Sequence, residues 1–319
     1  MSCSRLLYAI LRRISSVFDW LSDEFIILIY KSELMIIHSS CPPAIRSLYV
    51  DQLSGFVSEL YYFESIESTN TFLAQLKEKA LENTDLAMDS LQSCAALHFF
   101  IVCIAEQQTK GRGRGAHVWH ASHQDIFFSL RFTLLPSQLE GLSLCVALLC
   151  VRTLEQLGFN GLAIKWPNDI FFAGKKCGGI LIESLYQCDQ VTVIVGVGLN
   201  VASQLHESVK NHASSLYDLM IFHGYSKEQL RVSLIKGLVE GMSSGAVWRG
   251  ELDSQKHVRS FLATHWPVYD FCWGKKIKVT NGSHEWLGVM QGIDDEGNML
   301  LRTESDLVKI CAGSLMLLG

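Results

Sequence analysis

The sequence predicts an α+β protein in which a large mixed body is followed by a small all-β module. Three stretches predict it. Phe99 to Ala105 is a short, β-branched apolar run of strand length that leads into a glycine-rich turn. Leu142 to Leu157 is apolar nearly all round and stops at Gly158, the pattern of a buried helix closed by a glycine. From about Trp266 onward, short alternating strands are separated by tight turns.

Each element follows from local pattern. In residues 1–50, Arg5, Arg12, Arg13, Ser15 and Ser16 are mixed with Leu7, Ile10, Leu11, Ile14, Val17 and Phe18, and no acid precedes Asp19. On a helix the apolar set shares one face, so residues 1–18 read either as an organellar transit peptide or as an amphipathic helix packed on the body. The segment has no basic recognition helix of the DNA-binding kind. Cys41-Pro42-Pro43 reads as a linker stop, and globular patterning begins near residue 55. Ser68-Thr69-Asn70 precedes Phe72, Leu73, Leu76 and Ala80 at helical spacing, which makes Ser68 or Thr69 the expected N-cap. The amides there are either plainly capped or turned to a ligand. Ile126 to Thr133 is a strand. Ala163 to Trp166 is another, stopped by Pro167, which has no N–H for a sheet ladder, and this leaves Lys165 and Trp166 at the strand mouth. Gly178-Gly179 opens a strand over Ile180 to Leu185, partnered by Val191 to Val197. Ser226-Lys227-Glu228-Gln229 is a capping box for a helix with Leu230, Leu234, Ile235 and Leu238 on one face. Ile277 and Val279 alternate with Lys276, Lys278 and Thr280 before the hairpin signal Asn281-Gly282. The turn Asp295 to Asn298 precedes strands over Met299 to Thr303 and Leu307 to Cys311. So small a β unit cannot build a large core and is expected to dock on the body as a barrel. The expected division is an N-terminal extension over 1–54, a catalytic domain over 55–265 and a C-terminal domain over 266–319.

Composition narrows the function. With 49% hydrophobic and 18% charged residues in 319, the chain builds a substantial core. A net charge of -5 argues against a general nucleic-acid binder. The ten cysteines contain no Cys-x-x-Cys pair, so neither a zinc ribbon nor a thioredoxin-type motif is indicated, and their scatter suits reduced thiols inside a cell. No apolar run approaches the ~20 residues of a membrane span. A cytoplasmic location is expected, or a mitochondrial or plastid one if residues 1–18 are a transit peptide.

The chemistry is concentrated in a few motifs. Gly111-Arg112-Gly113-Arg114-Gly115 gives a backbone that can approach a ligand closely, with two interleaved guanidinium forks suited to carboxylate or phosphate. By itself it reads equally as a solvated basic turn. It stands in register with Ser68-Thr69-Asn70, Gln108, Trp119, Lys165-Trp166-Pro167-Asn168-Asp169, Cys177-Gly178-Gly179-Ile180-Leu181-Ile182-Glu183 and Gly196-Val197-Gly198-Leu199-Asn200. In order and spacing this set resembles the biotin–protein ligase family. Gly274-Lys275-Lys276 through Gly292-Ile293-Asp294 to Ala312-Gly313 resembles that family's C-terminal domain, so the resemblance covers roughly residues 60–319.

The resemblance implies a class II aminoacyl-tRNA synthetase-like catalytic domain, a C-terminal SH3-like barrel, and a reaction in two steps. Biotin attacks the α-phosphate of ATP to give biotinyl-5′-AMP and pyrophosphate. The acyl group then passes to a lysine on a carboxylase's biotin-acceptor domain. It further implies that Ser68, Thr69, Asn70, Gln108, Arg112, Gly113, Arg114 and Lys165 bind biotin, and that Gly111, Trp119, Lys165 and Asn200 contact the nucleotide. Lys165, Arg112 and Arg114 would carry the chemistry, with Mg²⁺ on the phosphates. Asp169 either steers the acceptor amine or caps the strand end. This chain departs from the family in Gly115-Ala116-His117-Val118, in Asp125 where Asn is common, and in a C-terminus, Ser314 to Gly319, without arginine. His117, His120 and His123 recur at three-residue spacing without a matching carboxylate or thiol set. The rival readings are a lipoate or octanoate ligase and a biotin-responsive transcription regulator. A Rossmann oxidoreductase fails because Val201 stands where that fingerprint needs Gly or Ala.

Overall fold

The computed structural model describes residues 25–30, 33–38, 40–76, 100–115, 117–120, 122–202, 204–205, 207, 210–243 and 254–318. The possible transit segment over residues 1–18 lies outside them. The body is one nine-stranded sheet in the order β1-β2-β3-β4-β5-β9-β8-β7-β6. Its strands are β1 Phe25–Tyr30, β2 Glu33–His38, β3 Val57–Ile66, β4 Phe100–Gln108, β5 Ile126–Leu134, β6 Leu162–Lys165, β7 Asp169–Phe172, β8 Lys175–Gln187 and β9 Gln190–Leu199. β2 and β3, and β3 and β4, pair in parallel; the other neighbours are antiparallel. A second, antiparallel sheet holds β10 Lys276–Asn281, β11 His284–Ile293, β12 Met299–Arg302, β13 Leu307–Ile310 and β14 Ser314–Leu317 in the order β13-β12-β11-β10-β14. The expected mixed body and β-rich tail are both present.

The helices sort onto the two faces of the large sheet. α1 Pro43–Leu53, α3 Leu142–Gln156, α5 Lys227–Ser243 and α6 Ser254–Tyr269 cover one face; α2 Thr69–Gln75 lies on the other, and α4 Tyr217–Phe222 completes the set among the described residues. Strand alternation explains the division. On β4, Phe100, Val102 and Ile104 join the main core, whereas Cys103 joins a small cluster with Tyr61, Leu73 and Ile194 under α2. α3 is buried on nearly every side, with Gln156 exposed in its last turn. The Ser226 capping box forms as expected, with Gln229 Oε1 accepting from the Ser226 amide at 2.9 Å and the Gln229 amide donating to Ser226 Oγ at 3.2 Å.

Two expectations are corrected. Cys41-Pro42-Pro43 is not a linker: Cys41 is buried and Pro42 caps α1, whose Tyr49 and Leu53 reach the main core. β1, β2 and α1 therefore build onto the main sheet. Nor does β structure begin at Trp266, because α6 runs to Tyr269 and Trp266 is a buried core residue. Isolated alternation signals missed the helix because its apolar face packs on α3.

A buried charge network ties α5 and α1 to the sheet. The Arg231 guanidinium, fully enclosed, donates to Tyr49 Oη at 2.9 Å, Glu106 Oε1 at 2.6 Å and the Ala105 carbonyl at 3.3 Å. Lys227 Nζ pairs with the other Glu106 oxygen. Burial works to raise the Glu106 carboxyl, but the Arg231 charge and hydrogen bonds from Lys227 and Arg231 outweigh it and hold it below its ordinary value. Arg231→Met should cost about 2–3 kcal/mol in urea unfolding, because it leaves the partly buried Glu106 carboxylate with Lys227 as its remaining cationic partner and Tyr49 Oη without its donor. Glu106 stabilises fully above its unfolded pKa of about 4.3 and loses that contribution as pH falls through its lower native value. The cost of Arg231→Met should therefore shrink as pH falls through the native Glu106 value, as followed by urea unfolding at a series of pH values.

Candidate functional site

The site lies on the α2 face, where the sheet presents glycine. Alternation along β8 puts Gly179, Leu181 and Glu183 on this face, and their partners on β9 are Gly198, Gly196 and Ile194. A Cβ at Gly198 would lie 2.8 Å from the Trp119 ring, and one at Gly196 would lie 2.2 Å from Asn70 Oδ1. The missing side chains are what let an indole and a carboxamide sit directly on the sheet. Above this floor is a cavity of about 340 Å³, walled by α2, the 112–119 loop, the 165–169 turn and Gly313-Ser314-Leu315 from the C-terminal sheet.

α2 supplies one wall. Ser68 caps it, its Oγ accepting from the Thr71 amide at 3.4 Å. The Thr69 amide is not free for a ligand, since it donates to Gln108 Oε1 at 2.8 Å. Ser129 Oγ, from β5, lies 2.7 Å from Thr69 Oγ1 and 2.6 Å from Asn70 Oδ1, and Asn70 Nδ2 donates to Glu183 Oε2 at 2.8 Å. Ser68, Thr69 and Asn70 are each 3% exposed, so they form a rigid polar edge.

The glycine stretch is a short hairpin over the cavity. The Gly113 amide donates to the His117 carbonyl at 2.8 Å and the Trp119 amide to the Gly111 carbonyl at 3.0 Å, with Gly115 turning the chain at φ +61°. Arg112 pairs with Glu183 at 2.9 Å, while Arg114 donates to Asn168 Oδ1 at 3.4 Å and the Gly313 carbonyl at 3.3 Å. Asn168 is itself pinned, donating to the Ile180 carbonyl at 2.7 Å. Lys165, at the end of β6, lies with its Nζ 5.7 Å from the Phe171 ring centre. Trp166 is buried and donates to the Gly297 carbonyl at 3.1 Å, which fastens the strand mouth to the C-terminal sheet.

Of the residues expected from the sequence, Ser68, Thr69, Asn70, Gln108, Arg112, Gly113, Arg114, Lys165 and Trp119 line this one cavity. Two do not. Gly111 is buried behind the hairpin, where a Cβ would come within 2.7 Å of the Trp119 carbonyl, so it shapes the loop. Asn200 is 4% exposed and donates from Nδ2 to the Ser214 carbonyl at 3.1 Å, which fixes the chain just past β9. Trp119, expected beside the nucleotide, lies on the Gly179–Gly198 pair, and its Nε1 is buried without an acceptor in the protein.

One charged cavity residue was missed. Lys176 lines the pocket, 2.6 Å from Asp169 Oδ1 and with its Nζ 5.3 Å from the Trp119 ring centre. In the sequence it is one of two lysines at a turn, and only the β7–β8 register turns it inward. Arg112, Arg114, Lys165 and Lys176 thus face a cavity with one lining carboxylate, Asp169, so the pocket is cationic in a chain of net charge -5.

Comparison with known proteins agrees with this geometry. Residues 62–200 match the model of the biotin/lipoate A/B protein ligase family. The bifunctional ligase/repressor BirA of Escherichia coli is 28% identical over 221 residues, 67% of this chain, and the chain spans 65% of that relative's length. The biotin–[acetyl-CoA-carboxylase] ligase of Mycobacterium tuberculosis is 29% identical over 285 residues, which cover 86% of this chain and 96% of the relative. The fold is shared with the biotin protein ligase of Aquifex aeolicus in complex with biotin and ATP, at a TM-score of 0.60 and 24% identity, over 81% of this chain and 97% of that one. Over residues 62–200 the chain is thus similar to the biotin/lipoate A/B protein ligase family, and the relatives named here are biotin–protein ligases.

Proposed function

We propose that the chain is an ATP-dependent biotin–protein ligase. It condenses biotin with ATP to biotinyl-5′-AMP and pyrophosphate, then transfers the acyl group to a lysine of a carboxylase's biotin-acceptor domain. The observation that carries this reading is the convergence of four cations, from the hairpin, β6 and β8, on one cavity beside the rigid polar edge of α2. A carboxylic acid is already ionised at neutral pH, so adenylation needs no general base. It needs fixed positive charge that lets two anions meet and stabilises charge growing on phosphoryl oxygens. Arg112, Lys165 and Lys176 supply it, and Arg114 tethers the hairpin toward Gly313. The unpaired Trp119 Nε1 is a donor for the bound acid or adenylate. In the second step the neutral acceptor amine attacks the acyl carbon and AMP leaves with the bonding electrons. Until then the hairpin shields the anhydride from water.

Among the described residues no group of three or more His, Cys, Asp or Glu could hold a metal ion. Mg²⁺ would enter on the nucleotide's phosphates. We read the large sheet as a class II aminoacyl-tRNA synthetase-like domain and the five-stranded sheet as an SH3-like barrel, divided after α6 between Tyr269 and Lys276, with residues up to 54 added to the catalytic body. The alternation of buried Ile277, Val279 and Met290 supports the barrel. No described helix is long and apolar enough to cross a membrane. The cytoplasm is the compartment we favour, with eight described cysteines unpaired.

Incubation with labelled biotin, ATP and an isolated biotin-acceptor domain should label the acceptor, and lipoate in its place should not; label from lipoate alone would overturn the assignment. Lys176→Ala and Lys165→Ala should each lower biotin-dependent pyrophosphate exchange by about 10²–10³-fold with the fold intact by circular dichroism. Arg112→Gly should still form the adenylate but release it, so that lysines on bystander proteins become biotinylated; a streptavidin blot with label confined to the acceptor would contradict this.

A further inference from the structure

We infer that Glu183 is a positioning residue that tethers the glycine hairpin over the cavity through Arg112, and so governs how long an acyl-adenylate stays enclosed. The consequence rests on the ligase reading; the tether itself does not. Glu183 projects from β8 on the same sheet face as Gly179 and Leu181, and its carboxylate stands between a fixed residue and the hairpin. Oε2 accepts from Asn70 Nδ2 at 2.8 Å, and Oε1 lies 2.9 Å from Arg112 Nη1. Asn70 is immobile: it is 3% exposed, is bonded through Oδ1 to Ser129 at 2.6 Å, and sits over Gly196 with no room for a methyl group. The oxygen facing the hairpin is thus an anion in a fixed place.

The hairpin side is loose by comparison. Its other side-chain contacts from residues 111–115 are Arg112 to Thr71 Oγ1 at 3.5 Å, and Arg114 to Asn168 Oδ1 at 3.4 Å and to the Gly313 carbonyl at 3.3 Å. The Arg112–Glu183 pair is the short, charge-assisted link among the described residues. A guanidinium carries five N–H donors in a fork, so the edge held by Glu183 leaves others for a carboxylate or phosphate. Glu183 therefore aims Arg112 without consuming it. Because Arg112 is 47% exposed, the pair adds little to global stability, and its loss is read at the hairpin and not in the melting temperature.

The test uses trypsin on the ligand-free full chain, which cleaves after Arg112 and Arg114. Glu183→Gln, of equal size but without charge, should speed hairpin cleavage about three- to tenfold while other sites and the melting temperature stay unchanged. Glu183→Asp, which keeps the charge, should fall between the two. Unchanged hairpin cleavage overturns the tether whether or not the protein ligates biotin. A uniform rise at all sites overturns it as well, since that reports lost fold. A second measurement preloads the chain with labelled biotin and ATP and follows release of the adenylate into excess unlabelled biotin. Release from Glu183→Gln should accelerate by about the same factor. Faster hairpin cleavage without faster release overturns the enclosure role. If the unaltered chain forms no adenylate while Glu183→Gln still frees the hairpin, the tether stands and the ligase reading falls.

Discussion

The site depends on bare backbone in the middle of a sheet. The antiparallel pairing of β8 with β9 sets Gly179 opposite Gly198 and Gly196 opposite Leu181 on the face away from the main helices. Any side chain at Gly196 or Gly198 would collide with Asn70 or Trp119. The cavity is therefore a depression in the sheet surface, and its walls come from segments that lie close to the backbone. A one-residue slip in that pairing would turn the glycines into the helix layer and valines into the pocket, which would abolish the site and the core together.

Around this floor the cations are separated by origin. Arg112 and Arg114 ride on a hairpin, Lys165 ends a strand, and Lys176 begins the next but one. Each has a counter-contact that aims it: Glu183 for Arg112, Asn168 and Gly313 for Arg114, Asp169 for Lys176 and the Phe171 ring for Lys165. Preset charges of this kind need little reorganisation when an anionic ligand arrives, which is the electrostatic condition the proposed reaction requires.

The two sheets are joined at the cavity. Trp166 hands its indole N–H to the Gly297 carbonyl, and Gly297 packs near Gly141 and Leu144 at the start of α3. Gly313, which also lines the cavity, receives Arg114. The C-terminal sheet is thus a wall of the pocket as well as a separate β layer. Far from the pocket, the Arg231–Glu106–Lys227 network fastens α5 and α1 to β4, whose last residue, Gln108, holds the Thr69 amide.

Much of this was legible in the sequence. Strand-length apolar runs, the all-apolar α3, the Ser226 capping box and the Asn281-Gly282 turn are local signals, and local physics honours them. The glycine hairpin and the Lys165–Asp169 turn were equally visible, because glycine, proline and interleaved arginine are unusual in close spacing. What tertiary structure alone decided were facts of register and packing. Lys176 is one lysine of a surface-looking pair until the β7–β8 pairing turns it inward. Asn200 sits in a motif that suggests a ligand contact, yet the Ser214 carbonyl claims it. Cys41 to Pro43 has the composition of a linker and is instead the buried entry to α1. Composition and spacing determine which segments become strand, helix or turn; which side chain meets which is settled only when strands separated by tens of residues choose their partners, since one residue of shift moves every group to the other face.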